Sequence, residues 1–277
     1  MIAVALALAA TAPDRIDLRP TADIVVSSVA LVGAAIPELF KNQIAAGHCR
    51  LCDGPDNLGL PGTGSQGSLN GVDAWFHDAT AGWLLPRQTA AVLSDVVGFG
   101  LVPVGVMVGA FTATGPHATA DAGWRAAAVV AESGLVSLAV MQGVKYVAYR
   151  KRPFVRYGNG DTSGIYSVYD ADSRLSLPSG HTALATALGV SLATTATLEE
   201  STATPWLWVA AAFGSVTTAT LRMTAEKHYF TDVVAGAAIG AACGVVIPLM
   251  HRRGGALSSD AVSVAAQGPA LSVSGRF

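Results

Sequence analysis

The sequence is short of charge. Only 13% of its 277 residues are Asp, Glu, Lys or Arg, against roughly a quarter in a water-soluble domain. With 51% hydrophobic residues and a mean hydropathy of +0.46, the chain is too apolar for an ordinary soluble protein. It also lacks a basic stripe. The net charge is −2, and nothing is positioned to neutralise phosphates along a duplex, so nucleic acid is excluded as a partner. Cysteine is nearly absent: Cys49, Cys52 and Cys243 are all there are, and a four-thiolate zinc site is excluded with them. No Pro- or Ser-rich linker divides the core.

What the chain has in quantity is apolar sequence. Six segments stand out: Ile24–Phe40, Thr89–Thr112, Gly123–Val147, His181–Leu198, Pro205–Leu221 and Tyr229–Met250. A bilayer core needs about 20 residues of helix. The second, third and sixth segments meet that length, and the others span only with help from neighbours. Ala, Gly, Ser and Thr dominate them, which suits close helix packing inside a membrane. The expected fold is all-α, a polytopic membrane bundle of about six helices. A secreted all-helical domain with an unusually apolar core is the alternative. The reading divides the chain into an N-terminal apolar segment (1–22), a helical domain (23–251) and a tail (252–277). Residues 1–12 are a candidate signal peptide, although they carry no Lys or Arg and Pro13 follows the most obvious cleavage point. The tail, "DAVSVAAQGPALSVSGRF", alternates about Gln267-Gly268 and reads as a β-hairpin.

Two connections, Ala113–Ala122 and Glu199–Thr204, are short and carry no Lys or Arg, whereas 41–88, 148–180 and 222–228 are decorated with charge. If every segment spans, parity puts the decorated regions on one face. Cys49 and Cys52, in "CRLC", read as a disulfide, a redox pair or part of a metal site, with the disulfide preferred. That preference makes the decorated face periplasmic in a bacterial inner membrane. Arg15, Arg19, Arg125, Arg252 and Arg253 then flank the cytoplasmic face, as the positive-inside tendency asks, while Arg150, Lys151 and Arg152 run against it.

Three stretches carry chemistry. In "KYVAYRKRP", Lys145 and Arg152 are seven apart, nearly two helical turns, so they project from nearly the same helix face, and Pro153 marks the helix end. "PSGH", residues 178–181, turns into a helix whose first N–H groups are unpaired and face any anion placed there. Ser179 either caps that helix or binds a phosphate oxygen. In "LRMTAEKHYFTD", Arg222 precedes His228 by six residues and Asp232 follows it by four. If helical, His228 and Asp232 share a face, and the carboxylate fixes the imidazole tautomer. Each stretch alone also has a plain structural reading: snorkelling cations, a cap, an intramembrane ion pair.

Together and in this order, residues 145–232 resemble the signature of the type 2 phosphatidic acid phosphatase / vanadium haloperoxidase superfamily. Leu221 departs from it, standing where the family usually has Ser. The resemblance implies a phosphatase of the membrane lipid branch, without cofactor or metal, acting on a phosphorylated lipid. It makes His228 the nucleophile, Asp232 its orienting partner and His181 the general acid and base. Lys145, Arg152, Arg222, Ser179 and the Gly180 N–H would bind the phosphoryl oxygens. A vanadium-dependent haloperoxidase would use the same residues, and a non-catalytic binder of phosphorylated lipids is the alternative outside enzymes. Asp95 and Glu132 lie inside apolar segments and are read as helix-to-helix hydrogen bonders. Tyr157, Asp161, Tyr166, Tyr169, Asp170 and Asp172 form a loop that either selects the head group or is merely solvated.

Overall fold

A computed structural model describes residues 15–45, 50, 70–115, 119–253, 262–267 and 270–275. The candidate signal peptide and both cysteines of "CRLC" lie outside the described residues. The architecture is all-α, as the apolar segments predict. The long helices are α1 (Pro20–Leu39), α3 (Arg87–Ala110), α4 (Ala120–Ala148), α5 (Gly180–Leu198), α6 (Thr204–Thr224) and α7 (Phe230–His251), with a shorter α2 (Gly71–Thr80). Four of these, α1, α3, α4 and α7, are long and apolar enough to cross a membrane. In the tail, β1 (Val262–Gln267) pairs antiparallel with β2 (Ala270–Gly275), Val264 opposite Val273.

Helix α5 is the axle of the bundle. Nearly all of its side chains are buried, and α3, α4, α6 and α7 pack around it. Its small residues let backbones approach. A Cβ on Gly236 of α7 would stand 2.4 Å from the Ser179 carbonyl oxygen, and one on Gly240 would stand 2.4 Å from that of Ala183. Any side chain at these positions would force α7 away from α5. The contact matters for the site, because it sets the N-termini of α5 and α7 side by side, with Ser179 N–H donating to the Asp232 carbonyl at 2.9 Å.

At the far end, the backbone of residues 15–17 joins the chain after α7: Ile16 bridges Arg252, and Arg253 N–H donates to Arg15 O. Arg15 also pairs with Glu200, in the connection between α5 and α6. The short and the decorated connections therefore lie at opposite ends of the bundle, in the arrangement parity gives.

Candidate active site

The C-termini of α4 and α6 and the N-termini of α5 and α7 meet at one end. Lys145, Arg152, His181, Arg222 and His228 converge there on a cavity of about 850 Å³, with Gly180 in its wall. These residues, up to 83 positions apart in sequence, line one space.

Helix α4 ends at Ala148, and Tyr149 follows in the left-handed region at φ 44°. This corrects the expectation that Lys145 and Arg152 share a helix face. Arg152 is extended, and Pro153 instead opens a single helical turn, Pro153–Arg156. The Arg152 guanidinium is fixed on three sides: Nε donates to Asp172 O, Nη1 to Lys227 O at 2.8 Å, and Nη2 to the Asp172 carboxylate at 2.7 Å. Asp172, from the loop that sequence left between rim and solvent, faces the cavity. Burial alone would raise its carboxyl, but Arg152, Lys145, Lys41 and Lys227 outweigh that and hold it well below the usual range.

His228 precedes α7 rather than lying on it. Its Nδ1 is 2.7 Å from the Ser176 carbonyl oxygen, whereas the Asp232 carboxylate is 3.8 Å away. A carbonyl only accepts, so Nδ1 carries the proton and Nε2 presents its lone pair. That lone pair meets Arg152 Nη1 at 3.1 Å and Arg222 Nη2 at 3.5 Å. Burial first, then the charges of Arg152 and Arg222, hold the imidazole well below its ordinary value, and it is neutral at neutral pH. Tautomer fixing by Asp232 is thus corrected: Ser176 holds the proton directly. Asp232 acts one shell out, accepting Ser176 Oγ–H and Arg150 Nη1–H, both at 2.5 Å, and Tyr229 N–H at 2.9 Å.

Arg150, which the sequence offers only as a charge near a membrane face, joins this site to α2. Its Nη2 donates to Asp73 at 2.7 Å. Asp73 is fully buried and also accepts from Thr231 N–H, Thr231 Oγ–H and Asn70 Nδ2. Asn70 caps α2 by accepting the Asp73 N–H. The stretch "NGVDAW", residues 70–75, is therefore an anchor for the α7 N-terminus.

His181 has a partner that sequence reasoning missed. Its Nε2 is 2.7 Å from Asp95 Oδ1, and Arg222 Nη1 is 3.4 Å from the same oxygen. Asp95 does bond between helices, as expected, but it does so inside the cavity. It ends the first part of α3, just before a wider π-turn at Val96–Leu101 that brings Phe99 onto the His181 ring, centroids 4.2 Å apart. Ser179 goes the other way. It is fully buried, bonded to Thr182 Oγ1 at 3.0 Å, and makes no side-chain cap. Lys227, unnoticed in sequence, lies in the cavity with Nζ 4.1 Å from the Tyr166 ring centre and donating to Ile165 O. Burial, with Arg152 beside it, pushes its ammonium down to about 7.

Asp73 and Asp95 fall outside the stretch that matches a known family. Comparison with curated proteins and with solved structures gives no match. The family model for the PAP2 superfamily matches residues 123–255, a span that contains the whole signature. Residues 123–255 are therefore a PAP2 superfamily domain.

Proposed function

We propose that this membrane protein hydrolyses a phosphate monoester or pyrophosphate of a lipid through a phosphohistidine on His228. Membership of the superfamily supports phosphatase- or haloperoxidase-type chemistry. The observation that carries the lipid reading is the two-ended cavity. One end holds the cations and imidazoles. The other is walled by Leu31, Ala34 and Ala35 of α1, Phe99 of α3, and Leu135 and Leu138 of α4. A pocket polar at one end and apolar along membrane helices fits an amphiphile, whose phosphate would sit at the helix ends and whose chain would lie between them.

In this reading Lys145, Arg152 and Arg222 take the phosphoryl oxygens, with the unpaired N–H of Gly180 at the α5 N-terminus. His228 Nε2 attacks phosphorus as the bond to the lipid oxygen breaks, and His181 gives that oxygen its proton. A water, deprotonated by His181, then attacks the phosphohistidine, releasing phosphate and freeing Nε2. Asp95 holds the Nε2 proton of His181 until the leaving oxygen arrives. Fixed cations do the neutralising that a metal ion does elsewhere in phosphoryl transfer. The arginines at the far end, Arg15, Arg252 and Arg253, support a periplasmic site.

The test is turnover in detergent against phosphatidate, phosphatidylglycerol phosphate, an isoprenoid pyrophosphate and a lipid A phosphate, beside a soluble aryl phosphate. Ala35→Trp, which narrows the apolar arm, should cut long-chain turnover and spare the aryl phosphate. Equal loss on both would refute the lipid reading. Halide oxidation with added vanadate and peroxide would favour the haloperoxidase instead.

A further inference from the structure

A second cluster lies at the end of the bundle away from the cavity. It joins Asp23 in the first turn of α1, Glu132 midway along α4 and His251, the last residue of α7. None belongs to the signature. His251 is fully buried and Glu132 is 2% exposed.

His251 Nδ1 is 2.9 Å from the Ile247 carbonyl oxygen, which fixes the proton there. Its Nε2 lone pair then faces Asp23 Oδ1 at 3.2 Å and Glu132 Oε2 at 3.8 Å. One ligand atom from each of the three residues lies within 4.8 Å of the others. Three acceptors so close repel one another unless a proton or a cation stands among them. A separate observation points the same way: the second carboxylate oxygen of Glu132, Oε1, is buried and has no hydrogen-bond partner. Buried polar atoms seldom go unsatisfied, and each exception calls for a reason.

We propose that Asp23, Glu132 and His251 bind one divalent transition-metal ion of the zinc class. Ligand atoms bonded at about 2.0–2.1 Å to a tetrahedral ion stand ~3.4 Å apart, and the separations of 3.2 and 3.8 Å bracket that value. One imidazole and two carboxylates suit zinc, manganese or iron. The surroundings are those of a metal site. A ligating His commonly gives its other N–H to a carbonyl, as His251 does to Ile247, and a ligating carboxylate is itself hydrogen-bonded, as Asp23 Oδ2 is by Arg19 N–H at 2.8 Å. Unpartnered Oε1 would let Glu132 bind with both oxygens. Asp23, the least buried of the three, gives the ion its way in. The ion would neutralise two carboxylates and tie α1 to α4 and α7. It takes no part in the phosphate chemistry at the other end.

The experiment uses the full chain, purified in detergent without chelator and without a polyhistidine tag. Metal content is measured by mass spectrometry, and thermal unfolding is followed after chelation and after adding zinc or manganese. One ion per chain is expected, and an ion added at about 100 times its Kd should raise the midpoint on the order of 5–10 °C. His251→Ala and Asp23→Asn should lose both the ion and the shift, while still turning over an aryl phosphate at low temperature. Wild-type protein that carries no ion and shows no shift with either metal overturns the proposal, leaving a proton-shared ion pair. Undiminished metal content in folded variants overturns it too. If the variants do not fold, the wild-type titration decides.

Discussion

Nδ1 of His228 donates to the carbonyl oxygen of Ser176 across 2.7 Å, and so a backbone group, not a carboxylate, sets the tautomer of the proposed nucleophile. Side-chain substitutions can then separate orientation from charge. Ser176→Ala keeps the carbonyl and loses only the hydroxyl bond to Asp232. It should cost about 1.5–3 kcal/mol in stability, as for a hydrogen bond to a charged group, and leave phosphoenzyme formation within about tenfold of wild type. Single-turnover labelling with a radioactive aryl phosphate checks this. Loss of labelling in a folded S176A protein would show that the carbonyl does not suffice.

Asp232→Asn should behave differently. It leaves the Arg150 charge with Asp73 alone, in a pocket where Arg150 is nearly buried and Asp232 wholly so. Breaking such a pair typically costs about 3–5 kcal/mol. The expected result is a strongly lowered unfolding midpoint with Arg150 intact. Asp232→Asn made in an Arg150→Met background, where the pair is already gone, should cost less than in the wild-type background. An undiminished cost there would mean that the pair is not the cause.

His181 and Asp95 give a third expectation, based on leaving groups. A lipid alkoxide needs a proton to leave and a nitrophenolate does not. His181→Ala should therefore slow lipid turnover about 10²–10⁴-fold, yet still form phosphoenzyme from an aryl phosphate. Asp95→Asn should show the same bias to a smaller degree, because it removes the charge beside His181 and keeps a hydrogen-bonding group. His228→Ala should abolish labelling from both substrates. Labelling in that variant would move the nucleophile elsewhere.

These expectations divide by where their residues were legible. The helices could be read because hydrophobic runs, broken by Pro and charge, are a local signal, and each run overlies one described helix, overrunning it by two residues at most. The signature residues were legible because their spacing is local within each of three stretches. Lys145, Arg152, His181, Arg222 and His228 do meet in one cavity. Asp95, Asp73 and Arg150 were not legible as site residues, because their partners are 86, 158 and 82 positions away and are chosen by packing. Helix α3 brings Phe99 onto His181 through a π-turn that no periodicity announces. The i, i+4 spacing of His228 and Asp232 misled for a plain reason: α7 begins at Phe230, after the histidine.

The last expectation concerns pH and Lys227. Its ammonium is pushed down to about 7, by burial first and then by Arg152. Below that value the cavity gains a cation; above it, Lys227 is neutral and contributes less to holding a dianion. Tungstate, a dianion across the neutral range, should thus bind progressively more weakly as pH rises from 6 to 8, with competitive inhibition constants as the readout. Stability moves in the opposite sense. In the unfolded chain Lys227 keeps its proton to about 10.4, so between about 7 and that value the unfolded state binds more protons and the folded state gains stability as pH rises. Lys227→Met removes both effects: tungstate affinity should fall less steeply with pH across this range and approach that of wild type at pH 8. A variant that keeps the full wild-type slope would assign the titration to another group in the cavity.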